Sequence, residues 1–401
     1  MAKPKLWKLN PMDFTKMTPT RQAKIEAAPA TPVPPTGSYK PNQLAKALHP
    51  GVQYVKVAKV TDITPTIKSY DLVADPSRGT EALAWFSAGQ YLSVSLEIGQ
   101  MKLTRPYSIS SSPREALAGH YTLSIDLVKD GLASQYIHAN WQVGTQVTIS
   151  EPLGVFTYEP LRDAKTIVGL AGGSGVTPFR SLAKAIADGD EDADMILLYG
   201  TGTLANTAFL EEFRELEKAC PRFRMVNVLS GETQEGCESG FITTDLIRKY
   251  APAGDYSIFL CGPKAMYNFV DKEIEKLGLR RKFIRHELFG EFFGPAQEAD
   301  YPKDVAPAFQ ITVRIAGKEQ TVTAPADVSI LRTLEANGIA APAHCRSGEC
   351  GWCHSRLVSG EVYVPKSGDG RREADLQYGY IHPCRSFPLS DLVIEIPPVV
   401  L

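Results

Sequence analysis

Cysteine is scarce in this chain, with seven in 401 residues, and tryptophan is scarcer still, with four. No apolar run approaches the ~20 residues that a membrane-spanning helix needs. The opening stretch MAKPKLWKLNPMDFTKMTPT has no apolar core of the signal-peptide kind. Charge of one sign is missing too: the net is −2 at pH 7, which gives no reason to expect nucleic acid or an anionic membrane as partner. These absences predict a cytoplasmic protein whose thiols stay reduced. What remains is ordinary globular composition, 43% hydrophobic and 22% charged. The length suffices for two or three domains, each with its own core.

Against that scarcity, AHCRSGECGWCHSRL places Cys345, Cys350 and Cys353 on one loop in the spacing C-x4-C-x2-C, and YIHPCRS adds Cys384 downstream. A disulfide pair, a zinc site and an iron–sulfur cluster compete for such a set. A reducing compartment disfavours the disulfide. Cys220, Cys237 and Cys261 are scattered, and the default for each is an inert thiol.

Along the chain the grammar changes several times. Residues 1–50 are rich in Pro, Ala and Thr and predict an extended arm or surface wrap that buries little. Residues 51–160 carry short alternating runs such as QYVKVAKVTDI, YLSVSLEI and YTLSIDLV between turn clusters, which predict an antiparallel β-barrel or sandwich. In 161–290 the continuous apolar strand KTIVGLAG opens a series of strands alternating with helices, the pattern of a parallel α/β sheet. An irregular linker, 291–307, precedes FQITVRI, EQTVTA and the helical SILRTLEANG, and then the cysteine loop, in 308–401.

Three stretches carry chemistry. In RPYSISSSP, Arg105 can clamp a phosphate, Tyr107 can lie against a planar ring and Ser108 can bond a ring nitrogen. KDGLASQYIH follows, with Gly131 and Ser134 opening a short helix, a ready anion site. GLAGGSGVTPFRS sits between a predicted strand and helix, where glycines let backbone approach a phosphate, although the third Gly of the dinucleotide fingerprint is missing. CGPKAM, from Cys261 to Met266, ends the last buried strand.

Residues 52–290 resemble the ferredoxin–NADP reductase superfamily, which places a flavin barrel before a nicotinamide-binding domain. The resemblance implies that Arg105 binds a flavin phosphate, that Pro106, Tyr107 and Ser108 line the ring site with Ser108 near N5, and that Gly131, Ala133 and Ser134 hold the phosphate or pyrophosphate. Gly173, Gly175, Thr177 and Pro178 match the family's Gly-x-Gly-x-Thr-Pro, and Cys261, Gly262, Pro263 and Met266 its second signature, with Cys261 beside the nicotinamide. In RHELFGEF, Glu287 is the acidic residue implied near the flavin, and Phe289, Phe292 and Phe293 compete for the aromatic place. The wording of RPYSISSSP and the Gly-x-x-Ser pattern resemble the FAD branch more than the FMN reductases. After LLYG stands Thr201-Gly-Thr203 where many relatives carry Arg, which leans to NADH over NADPH unless Arg222, Arg224 or Lys264 supplies charge.

Residues 308–397 resemble a plant-type 2Fe–2S ferredoxin, whose spacing C-x4-C-x2-C…C favours iron–sulfur over zinc. The family pattern implies that Cys345 and Cys350 ligate one iron and Cys353 and Cys384 the other. Trp352 stands where relatives carry a small residue, and His344, His354 and His382 read as bystanders. The full domain order resembles single-chain reductases that serve multicomponent oxygenases. The predicted fold is multi-domain: an antiparallel flavin barrel, an α/β parallel-sheet nucleotide domain and an α+β β-grasp ferredoxin domain. The resemblance implies electron flow from NADH through flavin and 2Fe–2S to a separate acceptor protein, an oxygenase or other metalloenzyme. The alternatives are a flavin reductase of small molecules whose cluster senses redox state, and a non-catalytic zinc-bearing interaction protein.

Overall fold

The computed structural model describes residues 11–27, 38–366 and 369–397. The N-terminal segment forms a unit separate from Leu48–Leu401. It departs from the extended arm expected of it: α1 (Pro11–Glu26) and α2 (Lys40–Leu48) are helices. In α2 a proline stands in the first turn, where its missing N–H is no loss. No residue of α2 is buried, as the composition predicted. The proline-rich stretch at 28–37 lies outside the described residues.

Six antiparallel strands follow: β1 (Val52–Asp62), β2 (Ile67–Ala74), β3 (Tyr91–Ile98), β4 (Met101–Ser108), β5 (His120–Asp126) and β6 (Gln146–Ser150). Their order is β4-β3-β6-β1-β2-β5, and the sheet curls until Ile109 bridges Leu123 at its open edge. Alternation drives this burial: Val55 and Val57 face inward while Lys56 between them is exposed. Helix α3 (Pro113–Leu117), held by a Ser112–Glu115 capping box, and α4 (Leu132–Asn140) interrupt the strands.

The second sheet is wholly parallel, in the order β10-β9-β8-β7-β11-β12. Its strands are β7 (Thr166–Gly172), β8 (Asp194–Thr201), β9 (Phe223–Leu229), β10 (Glu238–Ser239), β11 (Ser257–Cys261) and β12 (Ile284–His286). β7 reads as an unbroken apolar run because both of its faces are covered. Phe179, Leu182 and Ile186 of α5 (Thr177–Asp188) cover one face. Ile247 of α7 (Thr244–Tyr250) and Val270 and Ile274 of α8 (Lys264–Glu275) cover the other; α6 (Leu210–Ala219) joins β8 to β9. The winding reverses at β7, and ligands of such sheets bind at the carboxyl ends of the strands at this point.

The third sheet joins β13 (Ala308–Ile315), β14 (Lys318–Pro325), β15 (Ser355–Ser359), β17 (Tyr380–Ile381) and β19 (Leu392–Glu395) in the order β14-β13-β19-β15-β17; β16 (Val362–Tyr363) and β18 (Phe387–Pro388) pair apart. β13 and β19 run parallel while the other pairs are antiparallel, and Ile330 and Leu334 of α9 (Ile330–Ala336) share its core, a β-grasp arrangement. The cysteine loop lies between α9 and β15. Among the described residues, no helix is long and apolar enough to cross a membrane.

Candidate active site

A cleft of about 700 Å³ opens between the barrel, the end of β7 and the helix α9. β4 supplies one wall, from Arg105 to Ser108; α4 turns its amino end into the cleft at Gly131, Ala133 and Ser134; Gly173, Gly175, Thr177, Cys261, Gly262 and Pro263 come from the parallel sheet, and Glu287 from the segment after β12. The structure thus brings together on one cleft residues that the sequence scatters over 180 positions. Its size and its mixed apolar and polar lining suit a flavin. In α4 the first intrahelical bond is Gln135 N–H to Gly131 O, which leaves the N–H groups of the first turn free for an anion. The Ser134 hydroxyl is spent otherwise: it accepts from Val128 N–H and donates to Gly131 O, each at 3.1 Å. The anion site at this corner is therefore one of backbone groups.

Deeper in, Ser108 Oγ donates to Glu287 Oε2 at 3.0 Å, and both residues are buried. Tyr267 donates its phenol to the Glu287 carbonyl, and Glu287 N–H bonds to Leu260 O, so the backbone that carries the carboxyl is anchored to the end of β11. Burial pushes the Glu287 carboxyl up to about 8; the Ser108 bond acts the other way, and Glu349 adds to the rise. Burial, followed by the Glu287 charge, pushes the Cys261 thiol up as well. At neutral pH both stand protonated in the lining of the cleft, Glu287 beside Ser108. The folded chain therefore binds a proton at Glu287 that the unfolded chain releases between pH 4.5 and about 8. Stability from this site is full below that window and falls as pH rises through it. Glu287→Gln is expected to flatten this part of the profile, as thermal midpoints measured from pH 5 to 8 would register. Of the competing phenylalanines, Phe289 lines the cleft and meets Tyr91 edge-on at 4.8 Å. Phe293 also lines it, but Phe292 packs on Phe387 away from it.

The two glycine-bearing turns of the parallel sheet touch. A Cβ on Gly175 would lie 2.4 Å from Cys261 O, and one on Gly172 would lie 2.4 Å from Met266 Sδ. Met266 thus fills the groove between the turns, and Thr177 and Pro178 are buried at the start of α5. Gly175→Ala is expected to cost about 1–3 kcal/mol of stability, because backbone cannot yield. It should also weaken nucleotide binding by parting the turns; calorimetry and an NAD⁺ titration of both chains check the two effects. None of the three cations named as 2′-phosphate partners is free at the end of β8. Arg222 pairs with Asp192 at 3.2 Å at the opposite end of β8, by its first residues, Arg224 lies over Tyr250 and Lys264 over Phe292.

The four cysteines form two pairs. Cys353 and Cys384 Sγ are 3.4 Å apart and buried, and Cys350 N–H points at Cys345 Sγ at 3.4 Å. Trp352 N–H points at Cys350 Sγ at 3.5 Å. The Cys350 thiol, helped by Ser347 and opposed by burial, holds Cys345 well below the usual thiol range; Cys384 acts likewise on Cys353. Within each pair the partner thiol, Cys350 or Cys384, is pushed up in turn, so each pair shares a proton. Paired thiols with backbone donors fit a two-iron cluster. Among the described residues, no three His, Cys, Asp or Glu side chains converge to hold a single ion. All seven cysteines are free thiols. Trp352 is 53% exposed and stacks against His344 at 4.5 Å. His382 Nδ1 bonds Gly348 O at 2.6 Å and His354 Nδ1 bonds Gly351 O at 3.1 Å, so two of the three histidines brace the loop.

One feature escaped sequence reasoning. Arg346, directly after Cys345, is fully buried and grips Glu335 with two bonds of 2.6 and 2.7 Å and Glu291 with a third of 2.7 Å. Arg105 stands 3.5 Å from Glu291 and 3.9 Å from Glu335, and Arg332 stands 3.2 Å from Glu291. All five side chains line the cleft. Apart from Arg105 in RPYSISSSP, no local motif marks them, since they come from four separate segments.

Family models match the chain in three places: an oxidoreductase FAD-binding domain at 54–158, an oxidoreductase NAD-binding domain at 170–272 and a 2Fe-2S iron-sulfur cluster binding domain at 313–389. The ferredoxin reductase component of 3-ketosteroid-9-alpha-monooxygenase from Mycobacterium tuberculosis is 30% identical over 352 residues, 84% of this chain and 94% of the relative. The NADH oxidoreductase HCR of Escherichia coli is 28% identical over 340 residues, covering 85% and 96%. The crystal structure of phthalate dioxygenase reductase shares the fold, with a TM-score of 0.62 and 24% identity over 86% of this chain and 98% of that one. The chain belongs to the ferredoxin–NADP reductase superfamily, as a single-chain NAD(P)H oxidoreductase with FAD, NAD and 2Fe–2S domains that passes electrons to a separate acceptor.

Proposed function

We propose that the acceptor is an oxygenase and that this chain is its NADH-dependent reductase component. The relatives named as oxygenase reductase components support the acceptor, and the observation that carries the relay is the seam between the cleft and the cysteine loop. Thr104 Oγ1 donates to Ala343 O at 2.9 Å, and Gly290 N–H to Cys345 O at 3.4 Å, which joins the site of hydride arrival to the site of electron exit. FAD held in the cleft would supply the exchange between a two-electron hydride and the single electrons that a 2Fe–2S cluster carries.

The residues divide the remaining work. Arg105 and the backbone N–H groups of Ala133 and Ser134 hold the flavin phosphates, Gly131 shapes the turn with its own N–H on Val128 O at 3.0 Å, and Pro106 and Tyr107 lie along the ring. Ser108 and the protonated Glu287 hold a proton within reach of it, and the neutral Cys261 thiol keeps the nicotinamide slot apolar. Gly173, Gly175, Thr177 and Pro178 seat the dinucleotide at the start of α5, with Gly262, Pro263 and Met266 as the facing lip. NADH is preferred over NADPH: the candidate cations are engaged elsewhere, and Glu232 accepts Leu204 N–H at 2.7 Å beside Thr203. A carboxylate there favours a ribose hydroxyl over a phosphate. Cys345 with Cys350 and Cys353 with Cys384 hold the cluster. The reduced thiols suit the cytoplasm.

The test supplies NADH and compares three acceptors: the oxygenase component of 3-ketosteroid-9-alpha-monooxygenase, cytochrome c and menadione. The oxygenase reading expects the two proteins to be reduced well ahead of the quinone. Menadione reduced fastest, with both proteins slow, would move the assignment to a small-molecule reductase.

A further inference from the structure

The cleft's charges do not cancel. At the end nearest β4 and α9, Arg105, Arg332 and Arg346 have only Glu291 and Glu335 as ion partners, which leaves one positive charge in excess there, while Asp126 and Asp130 line the cleft beside the start of α4. Two of these cations do not come from the barrel. Arg332 sits on α9 and Arg346 in the cysteine loop, both within the third sheet's domain, and Arg346 also bonds Thr104 O of β4 at 3.3 Å. The side chains of Arg346, Glu291 and Glu335 are 0%, 6% and 7% exposed, so the core of the network is poorly screened by water, while Arg105 and Arg332 at its rim are 22% and 40% exposed. Arg346 moreover holds φ 62°, a left-handed backbone that a non-glycine residue adopts only when its surroundings insist.

We propose that the flavin phosphate is held jointly by two domains, the excess charge of Arg105, Arg332 and Arg346 being its counterpart, so that bound flavin locks the cluster-bearing domain onto the barrel. The inference rests on the flavin reading above and deepens it. Its reciprocal follows from linkage: whatever flavin gains from the docked domain, the docking gains from flavin. The phosphate also relieves repulsion between Arg105 and Arg346, which otherwise face each other across two carboxylates. Arg332 is the residue to change, because at 40% exposure on the surface of α9 its loss leaves the fold intact.

The experiment compares the full-length chain with Arg332→Gln. Dissociation constants are measured by fluorescence for FAD and for riboflavin, which lacks the phosphates. Hydrogen exchange of residues 330–346 is followed with and without FAD. The shared-site account expects FAD to bind at least about fivefold more weakly to the variant. Riboflavin should bind equally to both chains, and the FAD-dependent protection of 330–346 should shrink in the variant. Equal FAD affinity in the two chains would overturn it, and so would an equal loss for FAD and riboflavin, which signals a deformed cleft. A wild-type chain that binds neither flavin would instead overturn the flavin reading on which the inference stands.

Discussion

Cys350→Ser is expected to keep NADH-dependent reduction of a two-electron dye near the wild-type rate and to abolish reduction of cytochrome c. Serine oxygen is a poor substitute for a soft thiolate. Cys350 is the exposed member of the four, so its loss removes a ligand without opening the core. The residues of the cleft lie on other elements: Ser108 ends β4, Cys261 ends β11 and Glu287 is tied to Leu260 O and Tyr267. Their geometry should survive. A variant that reduces both acceptors normally would make the cluster a sensor rather than the exit. Zinc without iron in the wild-type chain would sink the electron-transfer reading altogether.

Glu335→Gln is expected to destabilise the protein by about 3–5 kcal/mol, the effect of breaking one side of a buried ion pair and stranding the other. Arg346 has no exposure to water, and Glu335 supplies two of its bonds. Arg346→Met should also be costly, because Glu291 and Glu335 then face each other with only the more distant Arg105 and Arg332 to offset them. The double variant should cost less than the sum of the singles, since it removes the partner that each single change strands. Urea unfolding of the four chains measures this. Strict additivity would mean that the two side chains act independently, contrary to the geometry.

The parts of this molecule that were legible in its sequence are those written locally. KTIVGLAG reads as a central strand because a strand covered on both faces needs apolar residues at every position, and β7 is such a strand. Gly175 and Met266 are legible as motif positions, and the structure adds why: the two turns are in contact, so neither tolerates bulk there. The cysteine spacing is legible because one loop must wrap one cluster. The ion network was not, because Glu291, Glu335 and Arg346 each look like an ordinary surface charge until α9 and the cysteine loop dock against β4, and Arg105 is legible only as a phosphate clamp and not as a member of it. The N-terminal segment misled in the other direction. Its proline content argued for extension, yet α1 accommodates Pro19 within a helix and α2 begins at the residue before Pro41. The Ser134 hydroxyl matched a phosphate-binding pattern, but a hydroxyl in the first turn can equally brace the preceding loop, and here it does.

The most direct measurement is an anaerobic visible spectrum taken before and after one equivalent of NADH. The account predicts flavin and 2Fe–2S absorption in the starting sample and bleaching of both together, as electrons that enter at the cleft distribute to the cysteine loop. Bleaching of the flavin alone, with the cluster bands unchanged, would contradict it.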